Sequence, residues 1–345
     1  MSAQEPSPAS PAVLVLTVAE DLDPAAIRAV ADGRRLRIAA PLTASATAVR
    51  EAALRVLDAG TTVYGVTTGM GDQSRLTLDP AARPGQQDRL MLARAVGSDP
   101  WLSRRQARAT LAARLRTLLT GDAAVSIGLC EQLVALLNAD VLPALPATGS
   151  GAAGEIIALA HLGGLVTGSG SALGSDGIAV RPASAALAEA GLERYPLGVK
   201  EGVALLEGVP TTCALAVLAG ERARRLADRA AVVGGIGIAV IRAHRDPYSP
   251  LLARQDDALA AALQRIRAVA GPEPQPRALQ APLSFRVLGP ALAHLERAAA
   301  ALDAAVGRGL GGVTDSPAFL GGDFVGSAGF DGFDLAANLD ALTVA

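Results

Sequence analysis

Gly149-Ser150-Gly151-Ala152-Ala153-Gly154-Glu155 runs without a break into the apolar stretch IIALAHLGGLV of residues 156–166. The opening residues hold too much glycine and alanine for regular structure, whereas the stretch behind them has the character of a buried helix. A glycine-rich turn that opens a helix invites a phosphate-loop reading. That reading needs a strand ahead of the glycines inside a βαβ unit, and neither residues 149–154 nor the glycines of 168–175 follow one. Strand and helix patterns do not alternate along the chain, so a doubly wound sheet is excluded.

Helical patterns extend to both sides of this stretch. Residues 43–59 form a capped amphipathic segment closed by Gly60, and a shorter one, DPAAIRAVADG, stops at Gly33. Two more follow one another around Gly121 between Ser103 and Asn138. Further helices are expected over 181–191, 199–245 (broken near 208–210 and 234–237), 250–270 and 287–307. The last forty residues read mostly as loop, finishing in one short helical stretch that looks cut off. The chain has 345 residues, half of them apolar but only 3% aromatic, so the core is mainly Ala, Leu and Val, a mixture suited to close-packed helices. No internal repeat divides it, and one all-α helical domain is expected over residues 13–345, behind a disordered tail at 1–12.

Charge excludes several function classes. A formal net charge of −2 leaves no electrostatic footprint for nucleic acid or an anionic membrane. The basic cluster Arg222, Arg224, Arg225 and Arg229 shares its stretch with Glu221 and Asp228 and reads as a solvated helix face. Residues 156–166 and 230–241 are too short and too glycine-broken to span a bilayer, and read as buried helices. Cys130, Cys213, His161, His244 and His294 are scattered without metal-ligand spacing, so neither a metal nor a disulfide framework is expected, and a reducing cytoplasm fits. No signal peptide is recognisable in MSAQEPSPASPA.

Three segments carry the chemistry: Tyr64-Gly65-Val66-Thr67-Thr68-Gly69-Met70-Gly71, the stretch from Gly149 to His161, and Gln280-Ala281-Pro282-Leu283-Ser284-Phe285-Arg286. Lys200-Glu201-Gly202, Thr314-Asp315-Ser316-Pro317 and Gly321-Gly322-Asp323-Phe324 support them. In this order and spacing the chain resembles the aromatic amino-acid ammonia-lyases and the related aminomutases, from about residue 13 to its end. The resemblance implies an all-α lyase-like helical bundle, assembled in the family as a homotetramer. It also implies an Ala-Ser-Gly triad that cyclises and loses water to give a methylidene-imidazolone, the electrophile of ammonia elimination or migration. The family's C-terminal third has no counterpart here.

Here the triad reads Ala152-Ala153-Gly154. Alanine has no hydroxyl to lose, so no electrophile arises and no cofactor is expected. Gly149-Ser150-Gly151 is a chemically legal triad but aligns just ahead of the true one. By the resemblance, Glu207 replaces the asparagine that supports the prosthetic group, Leu283 a tyrosine, and Ala93-Arg94 a Ser-His pair. Asp323 and Val325 replace the Asn and His of a late motif. Tyr64 keeps the position of the catalytic loop base, Arg286 that of the arginine gripping the substrate carboxylate, and Gln280 also matches.

The expected catalytic residues are therefore Tyr64 and Glu207, with Arg286, Gln280 and Arg94 binding substrate. A structural role competes at each. Tyr64 could pack its loop, Arg286 could pair with a buried acid, and Glu207 could pair with Lys200 seven residues earlier. His161 and His244 read as structural. Two functions compete. One is an enzyme without the prosthetic group, doing acid–base chemistry on a small carboxylate-bearing biosynthetic intermediate. The other is a non-catalytic homologue that binds a ligand or joins another protein. A conventional ammonia-lyase is a lesser third. The small carboxylate and a homo-oligomer, dimer rather than tetramer, are the expected partners, with no nucleic acid and no membrane.

Overall fold

A computed structural model describes residues 13–148, 154–273 and 275–345. The tail at 1–12 and the residues Gly149, Ser150, Gly151, Ala152 and Ala153 lie outside the described residues. In chain order the elements are β1 (Leu14–Leu16), α1 (Pro24–Ala31), β2 (Leu36–Ile38), α2 (Ala40–Asp58), α3 (Arg83–Arg94), α4 (Arg104–Leu119) and α5 (Ile127–Asn138). There follow α6 (Ile156–Val166), β3 (Ser171–Leu173), β4 (Val180–Pro182), α7 (Ala183–Glu189), α8 (Glu201–Leu206) and α9 (Pro210–Val240). The chain ends with α10 (Asp257–Ala270), α11 (Leu283–Arg286), α12 (Leu288–Gly311), β5 (Ala318–Leu320), β6 (Asp323–Val325) and α13 (Phe333–Val344). The fold is helical as expected. The three two-stranded sheets, β1–β2 parallel and the others antiparallel, are small additions that the sequence did not announce.

Within the stretch read as one domain the chain divides into two compact units. The first holds residues up to Leu215 and Arg308–Gly332, the second Ala216–Gly307 and Phe333–Ala345.

In the first unit, helix starts are fixed by short-range chemistry. Asp23 accepts the Ala26 amide at 2.7 Å ahead of Pro24, and α1 closes at Gly33 with φ +103°. Ser103 and Gln106 form a capping box at the start of α4. Helix α6 packs against α3, α7 and α8, while α4 packs against α1 and α5. Residues 158–166 of α6 are all buried, as its composition required.

The second unit gathers Ala227, Ala231 and Ile238 of α9, Tyr248 of the turn that follows it, Leu263 and Ile266 of α10, and Leu292 and Ala293 of α12 into one core. Each fully buried Leu or Ile contributes roughly 1.5–3 kcal/mol. The break expected at 208–210 is present, but α9 continues through 234–237. Those glycines serve close packing. A Cβ on Gly234 would stand 2.1 Å from Leu288 Cδ2, one on Gly235 2.7 Å from Val269 Cβ, and one on Gly237 2.9 Å from Phe285 Cε1. The same segment also corrects the expectation of a buried helix. Ala231 and Ile238 are buried, but Val232, Val233, Ile236 and Val240 are exposed in this chain.

Just beyond α9, Arg245 closes the corner of the second unit. Its Nη1 donates to the Ala243 carbonyl at 2.7 Å and its Nη2 to that of Ala270 at 2.7 Å. Longer bonds reach Gly271 (3.3 Å), Pro272 (3.3 Å) and Ile238 (3.5 Å). His244 beside it faces Glu273 at 3.3 Å, in keeping with its structural assignment.

Candidate active site

Residues 63–72 fold into a tight loop stitched by their own hydroxyls. Thr67 Oγ1 accepts the Val63 amide at 2.7 Å, and Thr68 Oγ1 accepts that of Gly65 at 3.3 Å. Gly65 has φ +70°, and a Cβ there would meet Met70 Cγ at 3.0 Å and Val203 Cγ2 at 3.1 Å. A side chain is excluded on both counts. The loop holds Tyr64 outward, 43% exposed. Its hydroxyl oxygen accepts the Gly71 amide at 2.7 Å, which fixes the ring while leaving the hydroxyl hydrogen free for a ligand. Tyr64 lines a cleft of about 360 Å³ with Thr62, Val63, Ser316, Pro317, Phe324 and Gly326. Arg94, at the end of α3, reaches the same loop, with Nη2 3.8 Å from Met70 Sδ.

Behind Ser316 lies a buried set of charges. Lys200, wholly buried, pairs with Asp315 and begins α8 from a left-handed backbone with φ +73°. A non-glycine residue in that region is strained, and such strain gathers at functional sites. Lys200 is thus the partner of Asp315 and not of Glu207, the pairing that spacing alone had offered. Glu207 caps the other end of α8, immediately before Gly208. Burial pushes its carboxyl up to about 7, Asp315 adding to the rise while Arg114 and Lys200 oppose it. Arg114, fully buried in α4, is pushed down to about 10 by burial, against the pull of Asp315, Glu207 and Glu155. Glu155 accepts the Thr211 and Thr212 amides, each at 2.6 Å, and so caps the start of α9. Tyr64 and Glu207 therefore approach one segment, residues 315–317, Tyr64 through its cleft and Glu207 through Asp315.

Arg286 and Gln280 belong to the second unit. Gln280 is exposed. Arg286 is half-buried on the single turn α11, where Tyr248 Oη holds the preceding Phe285 carbonyl at 2.9 Å, and its Nε has no hydrogen-bond partner. Leu283 is exposed on the same turn. His161 is a satisfied core residue, its Nε2 accepting the Gly97 amide at 3.1 Å.

A sequence model of the aromatic amino acid lyase family matches residues 22–345. The chain belongs to that family. Over 323 residues it is 35% identical to a probable histidine ammonia-lyase of Halobacterium salinarum, covering 89% of this chain but 60% of that protein. Over 231 residues it is 34% identical to the MIO-dependent tyrosine 2,3-aminomutase of Streptomyces globisporus, covering 66% of this chain and 42% of that one. The crystal structure of the tyrosine aminomutase from Streptomyces globisporus superposes with a TM-score of 0.88 at 27% identity, over 97% of this chain and 68% of that one. This lyase-family chain thus spans about 60% of the length of the curated relatives it matches most fully.

The prosthetic group of the lyases requires a hydroxyl on the central triad residue, and Ala153 has none. Ala152, Ala153 and Ser150 lie outside the described residues. Gly154 is described, with φ +75° and its Cβ position 3.5 Å from the Gly208 carbonyl. Glu207, which by the family correspondence stands in place of an amide, directly precedes Gly208.

Sequence reasoning passed over Arg114, and it quoted Asp315 and Glu155 within family segments without giving either a role. Arg114 left one signal, a cation inside the run LAARLRTLL of a helix whose residues 107–119 are all buried.

Proposed function

We propose that this lyase-family chain is an enzyme that does not form the methylidene-imidazolone and works by acid–base chemistry on a small carboxylate-bearing biosynthetic intermediate. The reaction class is elimination, isomerisation or cyclisation. The observation that carries this reading is Glu207, a carboxyl that replaces the supporting amide and is raised to about 7, where it can both give and take a proton at neutral pH. Tyr64, anchored through Gly71 and facing the cleft, supplies the second proton-transfer group. Arg286, Gln280 and Arg94 take the substrate-binding positions by family correspondence. Without the electrophile, the β-proton of an ordinary amino acid is too weakly acidic for a tyrosine to remove. The substrate must therefore carry its own activation.

Two measurements test this reading. The intact mass of the purified chain should equal the mass calculated from its sequence. A mass two waters light would show that a triad has cyclised and would return the chain to conventional ammonia-lyase chemistry. On an activated carboxylate that the protein consumes, Tyr64→Phe should abolish turnover while leaving binding nearly intact, and unchanged turnover would remove Tyr64 from the mechanism. A chain that binds such compounds and turns none over would be the non-catalytic homologue.

A further inference from the structure

Arg114 is 2% exposed and makes one side-chain hydrogen bond, from Nη1 to Thr117 Oγ1 at 3.3 Å. Its Nε and Nη2 are buried and have no partner. These two nitrogens form one edge of the guanidinium, with parallel N–H bonds spaced to meet both oxygens of a carboxylate. Six residues earlier on α4, Arg108 shows what a completed arginine looks like, donating to the Val30 carbonyl at 2.7 Å, the Leu137 carbonyl at 3.0 Å and Asp140 at 2.9 Å.

Two of the acids around Arg114 are anchored elsewhere. Glu155, ahead of α6, is held by the Thr211 and Thr212 amides, and Asp315 gives one oxygen to Lys200 at the start of α8 while its Oδ1 is buried without a hydrogen-bond partner. Glu207 has no such anchor among the described residues. It feels the charges of Asp315, Arg114 and Lys200 without a hydrogen bond to any of them. Gly208 brings the two leftover groups near each other, since a Cβ on it would stand 3.5 Å from Arg114 Nη1. One side has an unfilled bidentate donor edge, and the other a carboxyl with no hydrogen bond among the described residues.

We propose that Arg114 and Glu207 form one site that takes up a small carboxylate together with a proton. The anion seats on the Nε–Nη2 edge of Arg114. Glu207 takes a proton from solvent, which converts it from a repelling charge into a hydroxyl donor toward the bound anion. The incoming charge and the incoming proton cancel, so the charge of the buried set is unchanged, and Asp315, Lys200 and Glu155 keep the partners they have. The inference rests on the preceding reading for the acid–base role of Glu207. It adds a carboxylate seat separate from Arg286.

The test reads binding and proton uptake, not turnover. The full chain is titrated calorimetrically with acetate in two buffers of different ionisation enthalpy, near pH 7.5. Uptake of up to about one proton per acetate is expected, with affinity falling by as much as about tenfold per pH unit above neutrality. In Glu207→Gln acetate should still bind, but with no proton uptake and no pH dependence. Arg114→Met, checked for its native circular dichroism, should lose this binding, while Arg286→Met should keep it. Acetate binding without proton uptake in the unaltered chain overturns the proposal, as does uptake that persists in Glu207→Gln. Binding lost in Arg286→Met but kept in Arg114→Met also overturns it, and leaves the acid–base reading of the preceding section standing.

Discussion

Arg245 and Arg114 are equally buried, each 2% exposed, and their guanidinium groups are in opposite circumstances. Arg245, in the second unit, spends all three nitrogens on main-chain carbonyls at the corner between α9 and α10. Arg114, in the first unit, leaves two nitrogens unused although Asp315, Glu207 and Glu155 all act on its charge and Asp315 keeps one buried oxygen unpartnered. A buried cation with every donor filled serves stability, because each bond satisfies a carbonyl that would otherwise be stranded. A buried cation with an open edge costs stability, and that cost is the mark of a site built for something other than folding. The same contrast separates Lys200, paired with Asp315, from Glu207, which feels the charges of Arg114 and Lys200 but has no hydrogen bond or ion pair among the described residues.

The contrast can be broken from either side. Its largest expected effect is at Arg245. Arg245→Met strands several carbonyls at once and should lower the unfolding free energy by about 3–5 kcal/mol, read from urea denaturation. A loss below about 1 kcal/mol would show that Arg245 is not the clamp its bonds describe.

Glu207 comes next. Its carboxyl is raised in the folded chain from 4.5 to about 7, so between those values the folded state holds more protons than the unfolded one. Stability should therefore be highest below about pH 4.5 as far as this group is concerned, and should fall as the pH rises toward 7. The total fall is at most roughly 3 kcal/mol. Glu207→Gln should flatten that segment of the stability–pH curve, and an unchanged slope would place the titration elsewhere. The smallest effect is expected at Arg114→Met. Near pH 6, where Glu207 carries its proton, it should shift stability by no more than about 1 kcal/mol, since few bonds are lost and an unmet charge is removed. A loss comparable to that of Arg245→Met would erase the distinction between the two arginines.

The helical class and most helix limits were legible because they are written in short-range chemistry. Asp23 with Pro24, the Ser103–Gln106 box, and glycines 33 and 121 act within a few residues of themselves. The glycines at 234–237 were misread because their reason lies in Leu288, Val269 and Phe285, far along the chain, and a local rule sees only a helix breaker. Tyr64, Glu207 and Arg286 were named from family positions alone; Tyr64 and Glu207 fall in the first unit and Arg286 in the second, and burial of Glu207 was the condition set for its raised ionisation. The partner of Lys200 could not be named, because Asp315 is 115 residues away and a seven-residue spacing to Glu207 looked just as good. Arg114 escaped notice for a related reason. An unmade bond is a property of the folded interior, and no spacing in the sequence records it.

The chain has a single tryptophan, Trp101, and its ring centre lies 5.7 Å from that of His161 on α6. Burial holds the imidazole below the usual histidine range, and its Nε2 accepts the Gly97 amide, a bond that only the neutral ring makes. A neutral imidazole quenches a neighbouring indole far less than an imidazolium does. The protein therefore carries its own optical gauge, with one emitter beside the helix that starts at the triad. A change in the distance between the two rings, or in the charge on His161, would alter that emission with no label added.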